Sequence, residues 1–363
     1  MRALIISSID WNDMWQRHQT FANGLAELGW NVTFLENTGF RNPRLHDYAR
    51  VLRKLRGKVV ASTLNPHHPN VDVISRFALP PNGRLFKRVN SKLFARRIAS
   101  SLPYTEYDVV LLYLPTNTSM ALLDELQYKA LVFDCVANFE AHPEAPNDFP
   151  QMLSELLRRA QMLLTDGGVL YRLMKDRHPN VHIIHQGVPN EFFIEQAEVQ
   201  EYRTACYFGS IDSRMDWGVI RAIVDAGIEV HMYGNSIGLT CEGVTFHGPI
   251  RHKDLPRRIA NHDILLIPYK RTEFNDGIIP AKIFECLATG KPTFVSALPY
   301  VTDFKEELYI CHSPEEFVAG VLSLKSVESQ SLVERRRLVA MKHSTSSAVA
   351  ELDRQLRVLL KGV

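Results

Sequence analysis

Lys282 and Glu285 stand three residues apart in the stretch Asn275-Asp276-Gly277-Ile278-Ile279-Pro280-Ala281-Lys282-Ile283-Phe284-Glu285-Cys286-Leu287-Ala288-Thr289-Gly290-Lys291-Pro292. A cation and a carboxylate at that spacing share one face of a helix. Pro280 suits the first turn of such a helix, Gly290 and Pro292 suit its end, and a loop through Asp276 and Gly277 leads into it. A loop that runs into a helix start offers backbone N–H groups to an anion, and Lys282 adds a positive charge there. Glu285 has two oxygens that can accept from neighbouring hydroxyls, as a ribose presents them. This set suits a nucleoside diphosphate. An ordinary amphipathic helix with a surface Lys and Glu would carry the same residues.

The pattern P-x-K-x-x-E-x-x-A-x-G-K-P resembles the donor site of GT-B fold glycosyltransferases, above all those of bacterial exopolysaccharide and cell-wall assembly. It is similar to the site of the xanthan glucuronosyltransferase and of teichuronic acid transferases. The resemblance implies an α/β GT-B architecture, with two Rossmann-like doubly wound parallel-sheet domains facing across a cleft. The wider retaining family carries a further Glu where this chain has Gly277, with Asp276 beside it, so the stereochemistry of that family does not carry over. His185-Gln186-Gly187-Val188-Pro189-Asn190-Glu191-Phe192-Phe193 resembles the family linker N-G-V-x-x-x-x-F, with Gln186 in place of Asn.

Donor-side expectations follow from strand ends, because ligands of open α/β sheets bind at the carboxyl edge. Gly209 and Ser210 follow one such strand, where a loop can bring backbone N–H groups to phosphate, and Arg214 is placed to add charge. A plain turn with a solvated Arg is the alternative. Tyr233 ends another strand. His247-Gly248-Pro249-Ile250-Arg251 resembles the loop that holds the base through backbone groups, which assigns Gly248 and Ile250 to the donor site. Ile267-Pro268-Tyr269 precedes the donor loop and helps shape the cleft.

Acceptor-side expectations rest on two segments. Asp10-Trp11-Asn12-Asp13-Met14-Trp15-Gln16-Arg17-His18-Gln19 lies between the first strand and first helix. Rings and amides there suit a sugar, whose faces stack and whose hydroxyls need partners. Trp11, Trp15, Gln16 and Arg17 are therefore acceptor candidates, and His18 a catalytic candidate. Stapling of the helix start by the two tryptophans is the alternative. The second segment is Val132-Phe133-Asp134-Cys135-Val136-Ala137-Asn138-Phe139. Related exopolysaccharide transferases place acidic residues here, and Asp134 matches the first. The second falls at Ala137, which cannot move a proton, whereas an acceptor hydroxyl needs a base within reach. Either another group serves, or a catalytic Asp was replaced and the chain binds without turnover. Asp134 suits a capped turn equally well, and Glu140 and His142 are further base candidates.

Charge is unevenly placed. Residues 41–100 hold fourteen Lys and Arg against Asp47 and Asp72, a net of +12, in a chain of formal net charge +2. Leu85, Phe86, Val89, Leu93 and Phe94 lie among those cations at mostly helical spacing. A basic amphipathic helix binds anionic membrane surfaces; a core-facing helix with a solvated basic side has the same pattern. No recognition motif supports a nucleic-acid partner. Five scattered cysteines, Cys135, Cys206, Cys241, Cys286 and Cys311, form no C-x-x-C, which argues against a metal site or disulfide framework. The chain opens directly on an apolar strand, with no signal peptide expected. No apolar run reaches the roughly twenty residues of a membrane span.

With 363 residues and 45% hydrophobic content, the chain has core enough for two domains. Strands are expected over 4–7, 32–35, 109–114, 130–133, 162–165 and 181–185, alternating with helices over 16–28, 119–126, 152–159 and 168–175. A second series has strands over 204–208, 229–233, 244–247, 264–268 and 293–296, with helices over 217–226 and 253–260 and the donor helix. The boundaries are an acceptor domain over 1–190, a donor domain over 191–345, and a C-terminal helix over 346–363 that returns to the first domain. The function implied is sugar transfer from a nucleotide sugar, UDP-sugars first and the base left open, to a lipid-linked saccharide, with no metal or other cofactor. The place implied is cytoplasmic, peripheral at the inner face of the plasma membrane. A nucleotide-sugar epimerase or hydrolase, or a silent nucleotide-sugar-binding protein, would share most of these features.

Overall fold

The computed structural model describes residues 1–13, 15–37, 65–76, 88–142, 144–195, 201–236, 240–276 and 282–362. Gly277, Pro280 and most of the basic segment, including Arg84 and Lys87, lie outside them. The chain divides into two compact units: Met1–His185 with Val349–Val363, and Gln186–Ala348.

The first unit is built on strands β1 (Arg2–Ile6), β2 (Asn31–Leu35), β3 (Val71–Ile74), β4 (Glu106–Leu112), β5 (Gln127–Cys135), β6 (Met162–Thr165) and β7 (Val181–Ile183). They form one sheet in the order β3-β2-β1-β4-β5-β6-β7, with every pairing parallel. A parallel sheet is covered on both faces, which is why Leu4, Ile5, Val110, Leu111, Leu131 and Val132 are all fully buried. Helices α1 (Arg17–Glu27), α2 (Ala95–Ala99), α3 (Asn117–Asp124), α4 (Phe149–Arg159) and α5 (Gly168–Met174) connect the strands. Leu153, Leu156 and Leu157 sit on one face of α4 and enter the same apolar cluster as Leu131, Phe133 and Leu163. Gly29, at φ 85°, ends α1 in the left-handed conformation that a Cβ disfavours.

The second unit repeats the plan. Strands β8 (Thr204–Phe208), β9 (Glu229–Tyr233), β10 (Val244–Gly248), β11 (Ile264–Ile267), β12 (Thr293–Ser296) and β13 (Tyr309–Cys311) lie in the order β10-β9-β8-β11-β12-β13, again all parallel. Helices α6 (Trp217–Asp225), α7 (Leu255–Ile259), α8 (Glu273–Asp276), α9 (Lys282–Thr289), α10 (Pro314–Val327) and α11 (Gln330–Met341) pack around it. Asp216 caps α6 by accepting from the Gly218 N–H at 3.0 Å. The last helix, α12 (Thr345–Gly362), belongs to the first unit from Val349 onward. Leu352 and Leu356 are fully buried, and Trp30 Nε1 donates to Asp353 Oδ1 at 2.7 Å.

In both sheets the strand order reverses beside the first strand, between β1 and β4 and between β8 and β11. Such a reversal splays the connecting loops apart at the carboxyl edge and leaves a crevice there. Elements beyond the sequence expectation include β3, β13, α8, α10 and α11. The two strands are short edges of three or four residues, α8 is a single turn where a loop through Asp276 was expected, and α10 and α11 carry exposed Leu322, Leu338 and Met341, which blur their periodicity. Strand β5 also runs two residues further than expected, so Asp134 lies inside it rather than in the following turn.

Candidate functional site

At the carboxyl edge of the second sheet, β8 delivers Tyr207 and Gly209, β11 leads to Tyr269, and α9 opens on Lys282. The Lys282 ammonium donates to the Tyr207 hydroxyl and to the Tyr269 hydroxyl, each at 2.9 Å, and lies 4.0 Å from the Tyr207 ring centroid. Tyr207 donates in turn to the Ser210 carbonyl at 2.7 Å. Its one proton is thereby used, so Tyr269 donates across the 3.1 Å that separates the two hydroxyls. A Cβ at Gly209, φ 130°, would fall 2.3 Å from the Lys282 ammonium, so this backbone gives way to the lysine. Burial would raise the Tyr269 phenol, but Lys282 and Arg214 overcome it and lower its pKa; the Tyr207 phenol is pushed well above its usual value by burial.

Arg214 stands 5.6 Å from the Tyr269 ring centroid and grips Asp212 with Nε and Nη2 at 2.9 and 2.7 Å. Its charge is therefore partly answered inside the loop. Glu285 is 5% exposed, and its Oε1 lies 2.7 Å from His252 Nε2, which donates when that nitrogen carries the proton. Tyr233 faces the other way: its hydroxyl is 2.7 Å from His262 Nε2, and its ring stacks on His247 at 4.4 Å. Gly248, φ 71°, offers its carbonyl to the Gly234 N–H at 2.9 Å, which joins the β9 and β10 loops. Ile250 is half-buried beyond them. Asp276 pairs with Arg271 at 3.0 Å rather than with Lys282. The structure thus brings Lys282, Gly209, Ser210 and Arg214 together. Tyr207, Asp212 and His252 had not been foreseen. A Tyr two residues before a strand-end glycine was the available signal for Tyr207.

The edge of the first sheet holds a different set. Arg17, 2% exposed at the start of α1, places Nε at 2.8 and 3.0 Å from the two oxygens of Asp134, itself fully buried in β5. It also donates to the Ile184 carbonyl. Burial opposes the Arg17 charge, and Asp134 more than offsets it, so the guanidinium pKa rises. His18 is equally buried, with Nε2 at 2.9 Å from Ser8 Oγ and its ring 3.8 Å from that of Tyr113. Burial and the Arg17 charge push its pKa down to about 3, so it stays neutral. Trp11 is a core residue: 2% exposed, edge-on to Phe34 at 4.8 Å, with Nε1 donating to the Asn65 carbonyl at 2.8 Å. Trp15 Nε1 donates to Thr20 Oγ1 at 2.8 Å, and the Gln16 N–H donates to Gln19 Oε1 at 3.0 Å, which fastens the helix start. Trp15 and Gln16 remain half-buried. Ala137, 7% exposed, follows β5 in a turn closed by the Phe139 N–H on its carbonyl at 3.0 Å.

Two α/β units of Rossmann order, in this succession, constitute the GT-B fold. Solved structures carry it over the whole chain: a sucrose-phosphate synthase from Thermosynechococcus elongatus aligns over 100% of both chains with a TM-score of 0.73 at 11% identity. Anabaena HepE, solved with UDP and glucose, aligns over 99% of this chain and 100% of its own, with a TM-score of 0.66 and 11% identity. Residues 214–353 match the family model described as glycosyl transferase-like, a span that includes Lys282 and Glu285. A Bacillus subtilis protein named as a teichuronic acid biosynthesis glycosyltransferase, TuaH, is 38% identical over 61 residues. That match spans 17% of this chain and 15% of the relative. The chain is a GT-B protein that resembles glycosyltransferases of bacterial cell-wall and exopolysaccharide assembly.

Proposed function

We propose that this protein is a glycosyltransferase that moves a sugar from a nucleoside-diphosphate sugar, a UDP-sugar in the first instance, to a hydroxyl of a saccharide acceptor carried on a lipid. The observation that carries this reading is Lys282 held on the hydroxyls of Tyr207 and Tyr269, one turn from Glu285. An ammonium held by hydroxyls, with no carboxylate in hydrogen-bond contact among the described residues, can offer its charge to an incoming diphosphate. Glu285, steadied by His252, accepts from the ribose. In the reaction the acceptor oxygen bonds to the anomeric carbon as the bond from that carbon to the diphosphate oxygen breaks, and Lys282 stabilises the charge that develops on the leaving group. Gly209, Ser210, Arg214, Tyr233, Gly248 and Ile250 complete the donor side, together with Asp276 and Gly277, which precede Lys282 in the sequence. Trp15, Gln16 and Arg17 serve the acceptor side.

The same reading places the protein at the cytoplasmic face of the plasma membrane, in surface polysaccharide or glycolipid assembly. Support comes from the described end of the basic segment. Leu93, 59% exposed in the π-turn Asn90–Phe94, stands among exposed Arg88, Lys92, Arg96 and Arg97. No helix among the described residues is long and apolar enough to cross a membrane. Vesicle binding that rises with anionic lipid and falls with salt is the expected signature. A silent nucleotide-sugar-binding protein is the second reading, favoured by the absence of a carboxylate at Ala137 and by the pairing of Asp134 with Arg17.

The experiment is a panel of nucleotide sugars read by thermal shift, followed by turnover with a polyprenyl-pyrophosphate saccharide. A ligand at a hundred times its Kd stabilises by about 2.7 kcal/mol. Binding with product establishes the transferase, binding without product the silent reading, and no response to any nucleotide sugar refutes both.

A further inference from the structure

Transfer needs a group that takes the proton of the acceptor hydroxyl, and the geometry points to Asp166, one residue beyond β6, as that group. This inference rests on the transferase reading of the protein. The parallel register pairs Asp134 with Leu164 and Cys135 with Thr165. One step further along, Asp166 comes alongside Val136, beside the turn at Ala137. A carboxylate is thus supplied from the neighbouring strand end at the level where β5 itself carries none.

The other described carboxylates along this edge are differently placed. Asp134 is fully buried and its two oxygens face the Arg17 Nε. Glu36 accepts from the Trp11 N–H at 3.0 Å through Oε1, and although its Oε2 has no partner the residue is only 2% exposed, so it is closed to an acceptor. Glu140 is bound by Arg177 at 2.5 Å. Asp166 as a residue is only half-buried, so its end of the strand is reachable, yet its Oδ1 is enclosed and has no hydrogen-bond partner. A carboxylate oxygen so placed lacks the partner it would have in water. The Asp166 carbonyl is fixed by His185 Nδ1 at 2.7 Å, which holds the strand end in place. Arg17, whose charge acts on Asp166, has its Nη2 enclosed and likewise without a protein partner. A sugar hydroxyl, both donor and acceptor, matches such a set.

Burial raises the Asp166 carboxyl, the Arg17 charge opposes this, and the nearby Asp134 charge adds to it, with the balance at about 8. A base whose pKa lies near the working pH is well matched to its task. In the step, the acceptor O–H proton passes to the Asp166 carboxylate, its electron pair forms the new bond to the anomeric carbon, and the nucleoside diphosphate leaves with the pair of the broken bond.

The test uses the full chain, wild type and Asp166→Asn. The variant is expected to bind UDP within about twofold of wild type while transfer falls about 10²–10⁴-fold. The wild-type rate rises with pH to a limb that the variant lacks. Independently of turnover, the carbon-13 carboxyl resonance that disappears in Asp166→Asn reports Asp166 directly, with an expected midpoint near 8. Equal transfer rates, a pH limb that survives the substitution, or a midpoint in the usual carboxylate range would each overturn the assignment. Absence of UDP binding by the wild type defeats the transferase reading instead, and the resonance still decides on Asp166.

Discussion

The two sheets end in the same topology but treat their charges in opposite ways. In the first unit Arg17 Nε meets Asp134, both residues buried, and the carboxylate answers the guanidinium charge while Arg17 Nη2 is left without a protein partner. In the second unit Lys282 meets two phenols, which hold its position, and no carboxylate among the described residues is in hydrogen-bond contact with it. A carboxylate partner lowers the field that a cation offers to anything else, whereas a neutral hydroxyl leaves most of it. The first arrangement therefore fixes a helix start against a strand, and in the proposed reading the second offers a cation to an anionic ligand. His18 and Tyr113 extend the closed character of the first site, since neither carries charge near neutrality.

The largest expected effect comes from opening the closed pair. Asp134→Ala leaves the Arg17 charge buried and unanswered, which costs about 3–5 kcal/mol. Three of the four tryptophans, Trp11, Trp15 and Trp30, lie in the first unit and Trp217 in the second, so in a Trp217→Phe background tryptophan fluorescence follows the urea unfolding of the first. The double substitution Arg17→Met with Asp134→Leu is expected to recover most of that loss, because replacing a buried pair by apolar groups is often neutral. A single substitution as mild as the double one would show that the pair is not sealed.

The open site predicts the reverse balance. Lys282→Ala is expected to leave the urea midpoint of the first unit unchanged and to lower kcat by about 10²–10³-fold, as loss of one stabilising donor does. The donor KM should move less than kcat, since the charge matters most as the leaving group develops. An effect on KM alone would reduce Lys282 to a ground-state contact.

The contrast also explains what the sequence could disclose. Lys282 and Glu285 were visible because their helix spacing, the flanking Pro280 and the Gly290 stop are all local. The doubly wound sheets were visible because parallel strands are apolar runs alternating with amphipathic helices, and the GT-B order came from the resemblance of the donor motif. The roles of Arg17 and Asp134 were not, for they meet across 117 residues and only the fold makes them partners. Tyr207 was hidden for the same reason, since a buried Tyr looks like core until its hydroxyl is placed, and Tyr269 was expected to shape the cleft but not to hold Lys282. Trp11 misled in the opposite sense, as an aromatic in a sugar-binding pattern whose ring the fold consumes. Asp166 follows a short apolar strand as any turn residue does, and only the register beside β5 sets it apart.

A smaller effect is expected at Glu285. Glu285→Gln keeps the shape and removes the charge from the hydrogen bonds offered to a ribose, which weakens UDP binding by about 1.5–3 kcal/mol in titration calorimetry. His252→Ala is expected to reproduce part of that loss through the freed carboxylate. If Glu285→Gln binds UDP as tightly as wild type, the ribose role fails, and with it the view that the second site reserves its charges for a ligand.

The smallest expected effect tests how closed the first site is. His18 has a folded pKa of about 3, below the ordinary histidine value of about 6.5 in the unfolded chain. Between those values the unfolded state binds more protons, so the stability contribution is full above pH 6.5 and is lost as pH falls towards 3. At pH 5 the loss amounts to about 2 kcal/mol. His18→Phe keeps a ring against Tyr113 and removes the titration. Asp166 has the opposite sign, because a raised carboxyl favours the folded state at low pH and loses that contribution as pH rises to about 8. The absolute curve therefore mixes the two, and the difference between wild type and His18→Phe isolates the histidine. That difference should shift against the wild type by about 2 kcal/mol from pH 7 to pH 5. A flat difference would mean that His18 takes up protons in the folded protein, and the first site would then be as open to charge as the second.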